Sequence, residues 1–501
     1  MMWFLFLRLF LVSSCYFALQ VSAGSFELQQ NNATIFDGIK GEQGDLLLDP
    51  HQALHLWKAS EDSAQNVEQN GFAYRRMNGD FILTVQLKSP SRALSGADFG
   101  IQVDAQDATF SMKTKIDSLG GLYVELESDK KTSLVKLNTV KSPDVFQLEQ
   151  NGNELIFSAA NFGKPLKRIA RYPLPKPQFL DVGIYRQFSA TERTSLELHN
   201  LRWVIPAWKN FVAYRDFIGS RLEILDVQTG KRNVIYETGA GIEAPNWTAD
   251  GENIFYNSSG RVYRLHYPTK KIFMVNTGFA VKIDNDHVVT YKNKTMGITH
   301  LETTGEYSWN IFKISLDGGD PQQLTFKPPA YLHSWSPDGR YILYTSFRNE
   351  QFDIFRGATD GSGEELQLTN DASMDDASEY TPDGKGIYFN SNRNGTMKIW
   401  RMDADGQNPK QITHDSFNDW FPHVSPDSKH LIFLSYSPEL ESTKHPHYEQ
   451  VTLRIMSPSG GEPKVIAYLY GGQGTINVPS WSPDSRFVAF VSNSQLGTEK
   501  R

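Results

Sequence analysis

Along much of the chain apolar and polar residues alternate at period two, the spacing of a strand that buries one face. In the first two hundred residues the clearest cases are Phe81-Ile82-Leu83-Thr84-Val85-Gln86-Leu87-Lys88 and Leu122-Tyr123-Val124-Glu125-Leu126-Glu127. Residues 145–149 and 155–158 flank an Asn151-Gly152-Asn153 turn, and 196–203 closes the region. Period two broken by turn clusters predicts an antiparallel β-sandwich over 24–205. Ile205-Pro206-Ala207 reads as a hinge, after which the pattern changes character.

From residue 206 to 501 the pattern repeats. An aromatic residue or Val precedes a Ser/Thr-Pro/Ala-Asp-Gly/Ser turn at Trp247, Trp335, Tyr380, Val424 and Trp481. The turn aspartates are Asp250, Asp338, Asp383, Asp427 and Asp484, spaced by 88, 45, 44 and 57 residues. Since 88 is twice 44, a sixth, degenerate copy is expected in the first gap, where Asp284-Asn285-Asp286 precedes a strand-like stretch. Proline presets φ in such a turn and glycine takes the left-handed position cheaply, so each copy reads as a hairpin between two strands. A third strand, an Asp-Gly or Gly-Gly turn and a fourth strand complete a unit of about 45 residues, the period of a propeller blade. The expected fold class is all-β: the sandwich followed by a six-bladed propeller, with seven blades left open by 211–214 and 487–490, which both look like second strands. The last strands must pair with the first ones near 210–237, so that the ring has no free edge.

The chain has 501 residues, 50 Lys+Arg against 57 Asp+Glu and a formal net charge of -7, a balance that excludes a nucleic-acid binder relying on a basic face. Residues 1–23 carry one charge, Arg8, and an apolar run ending in Val21-Ser22-Ala23, which reads as a signal peptide and not as a retained span. The single cysteine, Cys15, lies inside that segment, so the mature chain is expected to lack disulfides; lipidation at Cys15 is the alternative processing.

The repeats resemble the TolB-like six-bladed propellers with WD40-like repeats, over about 205–501. Stretches 379–384, 387–393, 418–423 and 471–481 resemble a bacterial secreted subgroup, and Tyr74-Arg75-Arg76-Met77-Asn78-Gly79-Asp80-Phe81 is similar to the concanavalin-like (laminin-G-type) sandwich that precedes its propeller. The resemblance implies a periplasmic or secreted scaffold that binds an envelope protein or a polysaccharide or oligosaccharide, with no transmembrane segment in the mature chain.

The residues just ahead of the turns, Asn246, Ser334, Glu379, His423 and Ser480, are expected to ring the propeller axis, with His333 one step earlier. Their plain reading is a polar lining bonded to water and backbone. Their chemical reading is a ligand site in which His333, Glu379 and His423 offer N, O and N donors to a divalent metal ion. Asp375, Asp376, Asp419 and Trp420 lie on the same approach. Propeller-type oligogalacturonide lyases hold a metal on that axis with histidines, so the resemblance keeps open a metal-dependent carbohydrate-active enzyme, for which no catalytic base stands out. A hydrolase of the prolyl-oligopeptidase type is excluded, because no G-x-S-x-G elbow is present. His445-Pro446-His447 falls in an insertion, 436–450, expected as a solvated loop, and Gly471-Gly472-Gln473-Gly474 as a tight turn. Tyr74, Tyr123 and Trp57 are expected as half-buried strand positions, with stacking on sugar rings as the alternative.

Overall fold

A computed structural model describes residues 29–30, 33–34, 36–41, 46–48, 54–56, 69–88, 99–105, 109–116, 122–128, 131–136, 143–174, 179–188, 196–212, 215–290, 294–302 and 308–496. The expected leader at 1–23, with Cys15, and Trp57 lie outside the described residues. The chain divides into two compact units, one built from segments before residue 202 and one whose continuous body begins there.

The first unit carries two seven-stranded sheets. One runs in the order Lys131–Lys136, Leu122–Ser128, Thr109–Ile116, Phe99–Asp104, Leu180–Phe188, Gln69–Met77, Gly38–Gly41. The other runs Lys167–Pro173, Glu154–Ala160, Val145–Asn151, Phe81–Lys88, Leu196–Val204, Leu54–Leu56, Leu46–Leu48. Rings from the two sheets meet, Phe99 against Phe146 with centroids 6.2 Å apart and Phe110 against Tyr172 at 5.4 Å. Tyr74 is half-buried and stacks on Phe72, two residues along the same strand.

The second unit is a propeller of six sheets. Five are four-stranded hairpin stacks in chain order, with innermost strands Glu243–Trp247, Ile283–Val289, Tyr331–Trp335, Asp375–Tyr380 and Asn418–Val424. The remaining sheet joins the two ends: Ser220–Asp226 lies between Lys231–Thr238 and Phe487–Asn493, and Trp481 bridges to Val488 inside them. Ser220 faces Asn493 and Asp226 faces Phe487, the closure that the repeat demanded. A buried ion triad pins the seam. Glu223, fully buried, takes Arg202 Nη2 at 2.7 Å, Arg232 Nη2 at 2.7 Å and the Ser492 hydroxyl at 2.5 Å. Burial alone would raise its carboxyl pKa, yet the two guanidiniums hold it well below the ordinary range.

The turn motif works through its hydroxyl. Ser336, Thr381, Ser425 and Ser482 each donate a side-chain hydrogen bond to the aspartate two residues on, at 2.5–2.7 Å. The same hydroxyl accepts the amide five residues on, and the aspartate accepts the amide two beyond itself. These donors hold Asp338 and Asp427 down at about 2. Each turn is closed by an amide-to-carbonyl bond spanning five residues, and the same bond from Thr290 to Thr295 (3.0 Å) marks the sixth copy. Asp284-Asn285-Asp286 is therefore no turn remnant: it lies within the innermost strand Ile283–Val289.

Gly251, Gly339 and Gly384 take the left-handed position of the turn, φ 72°, 76° and 71°; Ser428 and Ser485 occupy the same slot at 59° and 61°. Ser425→Ala should lower stability by about 1–2 kcal/mol, because a buried hydroxyl with two partners is lost. Ser428→Gly should be neutral or raise it by up to about 1 kcal/mol by relieving the left-handed backbone. Urea unfolding of the two variants beside wild type checks both signs.

Candidate functional site

Every innermost strand carries a register irregularity ahead of its turn, between Glu243 and Asn246, Ile283 and His287, Leu332 and Ser334, Asp376 and Glu379, and Trp420 and His423. Ala244, Ala377 and Phe421, six residues before the turn aspartates, have φ of 54°, 50° and 57° there. The bulge re-aims the side chains on either side of it, and the two sides do different work.

On the turn side, the expected ring residues are consumed in tying blades together. Asn246 Oδ1 accepts the Val289 amide at 2.5 Å, and its amide nitrogen reaches back to the Pro479 carbonyl. Trp335 Nε1 donates to the Val288 carbonyl at 3.0 Å, and Ser334 Oγ accepts the Tyr380 amide at 3.4 Å. Glu379 Oε1 accepts the Val424 amide at 3.1 Å, while Oε2 takes His423 Nδ1 at 2.5 Å. His423 Nε2 donates to the Ile476 carbonyl, and Trp481 Nε1 donates to the His423 carbonyl at 3.0 Å. Ser480 Oγ donates to the Pro245 carbonyl at 3.0 Å and completes the circuit.

On the other side of the bulge, where the innermost strands begin, acids and histidines gather. His333 Nε2 lies 2.9 Å from Asp376 Oδ1, which also accepts the Thr345 hydroxyl at 2.6 Å. Burial would raise the Asp376 carboxyl, but His333 and Thr345 hold it at about 2. Asp284 is pushed up to about 6, chiefly by burial and then by nearby Glu243. Asp286 is raised well above the usual carboxylate range by burial, with Asp284, Asp376 and Glu243 adding repulsion. Like charges stripped of water disfavour each other's ionised form.

The insertion expected as a solvated loop is instead a strap laid on this end. Tyr436 Oη donates to the Pro446 carbonyl at 3.1 Å, and the Gln473 amide donates to the same carbonyl at 3.2 Å. His445 stacks on Trp420 with centroids 4.2 Å apart, and burial drives its pKa down to about 4. His447 Nε2 lies 2.7 Å from Glu243 Oε1, joining the last full blade to the first. The glycine run makes room for it: a Cβ on Gly472 would strike the Pro446 carbonyl, and one on Gly474 would strike Glu243.

The expected site residues thus part company. His333 and Asp376 reach the axial end, and Glu379 and His423 sit in the inter-blade circuit. Asp375 is fully buried against Arg393 Nη2 at 2.9 Å, and Asp419 against Arg454 Nη2 at 2.5 Å and Ser435 Oγ at 2.8 Å. Trp420 is core, covered by His445. Among the described residues no three His, Cys, Asp or Glu side chains are grouped to hold a metal ion. With both His423 nitrogens on protein acceptors and His333 on Asp376, the expected trio does not fit one. Glu243, Asp284 and Asp286 were not singled out as site residues, although Glu243 and Asp376 both stand seven residues ahead of a turn aspartate.

The crowded acids set a pH dependence. Below about 3 Asp284 and Asp286 are protonated in folded and unfolded chains alike. As pH rises from there past about 6, the unfolded chain ionises these groups freely while the folded chain resists, so stability falls. Glu243, His333, Asp376 and His447 are the charged or titratable groups facing them. Asp284→Asn should raise stability at pH 8 by about 1–2 kcal/mol and leave it unchanged at pH 3; thermal melts at the two pH values decide.

Among known proteins, the family described as TolB beta propeller domain matches residues 360–499. An uncharacterized protein of Agrobacterium fabrum is 38% identical over 277 residues, 54% of this chain and 92% of that protein. A solved structure described as that of a putative TolB from Agrobacterium tumefaciens is 37% identical with a TM-score of 0.53, covering 56% of this chain and 99% of that one. The crystal structure of TolB from Acinetobacter baumannii is 16% identical with a TM-score of 0.41, covering 66% and 80%.

Proposed function

Because the chain belongs to the TolB-like β-propeller family, we propose that it is an exported, non-enzymatic binding scaffold of the bacterial envelope. In this reading residues 1–23 are a signal peptide, 24–205 a concanavalin-like, glycan-binding sandwich and 206–501 the propeller that engages a protein partner in the periplasm. Among the described residues no helix is long and apolar enough to cross a membrane.

The observation that carries the reading is the axial end built by Glu243, Asp284, Asp286, His333 and Asp376 under the strap. Four innermost strands bring these groups together, and the inter-blade circuit on the turn side of the bulges does not use them. Carboxylates gathered and largely desolvated at this end favour a partner that brings positive charge over neutral competitors. Glu379 and His423 act on this surface indirectly, by fixing the strands that carry Asp376 and Trp420.

The test is capture of envelope proteins on immobilised wild type and on a Glu243→Gln/Asp376→Asn variant. A partner retained by wild type, released by salt and weakened at least about tenfold by the double variant is the expected result. Equal retention by both proteins would place the binding surface elsewhere, and turnover of an oligosaccharide abolished by the variant would replace the scaffold with an enzyme.

A further inference from the structure

The chain as a whole is acidic, yet residues 253–283 carry Arg261, Arg264, Lys270, Lys271 and Lys282 and no aspartate or glutamate. This stretch forms the three outer strands of the first full blade, Asn253–Ser258, Arg261–His266 and Lys271–Met274, and the connection to the next blade. Strand register aligns its chemistry in two rows. Asn253, His266 and Lys271 lie across the sheet from one another, and Phe255, Arg264 and Phe273 form the adjacent row. Residues two apart on a strand share a face, so both rows open on the same side. There Asn253, His266, Lys271, Arg264 and Phe273 line a groove of about 430 Å³ together with Thr269, while Phe255 is buried in the core.

The Arg264 guanidinium lies over the Phe273 ring, 5.6 Å from its centroid, while the ring remains 48% exposed. The carboxylate facing Arg264 is Asp317 at 3.5 Å, whose side chain is 79% exposed. An exposed pair of that kind is weak and easily displaced. We propose that this groove binds a carboxylated sugar. The stacked guanidinium keeps its planar donor edge for a carboxylate, which it can grip with two parallel hydrogen bonds. Lys271 supplies a second positive charge one strand away. Phe273 offers an apolar face of the kind that covers the C–H side of a pyranose ring, and Asn253 and Thr269 supply neutral donors and acceptors suited to hydroxyls. A volume of several hundred Å³ suits a small ligand of one or two rings.

The geometry favours a sugar acid over an acidic peptide. A peptide added to the outer strand would use the backbone edge of Lys271–Met274, whereas these side chains converge on the face of the sheet. A bare oxyanion would leave Phe273 without a role. The groove is separate from the axial end, so this inference stands or falls independently of the proposed partner site.

The experiment is calorimetric titration of the purified full chain with a glucuronate-containing disaccharide, its glucose counterpart, inorganic phosphate and a glutamate-rich peptide, repeated on Arg264→Gln, Lys271→Gln and Phe273→Ala. The acidic disaccharide should saturate one site, the neutral sugar should not bind, and the Arg264 and Lys271 variants should weaken binding at least about tenfold. Phe273→Ala should weaken it about threefold or more while leaving phosphate unaffected. Phosphate binding as tightly as the sugar acid, tighter binding of the peptide, no binding of the disaccharide, or wild-type affinity in Lys271→Gln and Phe273→Ala would each overturn the proposal.

Discussion

A propeller is held together at its narrowest part, where the innermost strands have no main-chain ladder to the next blade and must find other partners. Here those partners are side chains placed four residues ahead of the turn aspartates in five of the blades. Asn246, Ser334, Glu379, His423 and Ser480 are at most 7% exposed and reach across to backbone groups of a neighbouring blade. A buried polar group deprived of its partner costs about 1–3 kcal/mol, and more when it is charged. Each link is therefore felt by the two blades it joins. The circuit and the Glu223 triad at the seam solve one problem, a closed ring with no free edge, at the axis and further out.

That constraint decides where function can sit. Side chains committed to the circuit cannot turn toward a ligand without opening an inter-blade joint. The bulge in each innermost strand separates this structural belt from the strand beginnings, where Glu243 pairs with His447 of the strap and Asp376 with His333. Burial and mutual repulsion disfavour ionisation of Asp284 and Asp286, a perturbation of the kind that clusters at functional sites.

The repeat made the fold legible because each blade needs the same hairpin, and the hairpin needs a hydroxyl, an aspartate and a residue tolerant of left-handed backbone. The sixth copy was expected from the spacing, but its turn was not located, because Thr290 keeps the closing hydrogen bond without the aspartate that made the others visible. Site residues were only half legible. Spacing placed Glu379 and His423 at the axis but could not say that both were already bonded to protein. The strap was missed because nothing in His445-Pro446-His447 shows that Gly472, some twenty-five residues on, clears the space for it and Gly474 the space for Glu243 beneath it. Arg264 and Phe273 come together through strand register, which no single stretch of sequence displays.

The division between belt and axial end is tested most directly by thermal unfolding of His423→Ala beside wild type, with and without a metal chelator. If His423 is a staple between blades, its removal leaves Glu379 Oε2 buried without its partner and lowers stability by about 3 kcal/mol, by the same amount in chelator as without it. A variant that melts with wild type, or a wild-type melting point that drops in chelator while that of the variant does not move, would contradict the assignment and return His423 to the binding site.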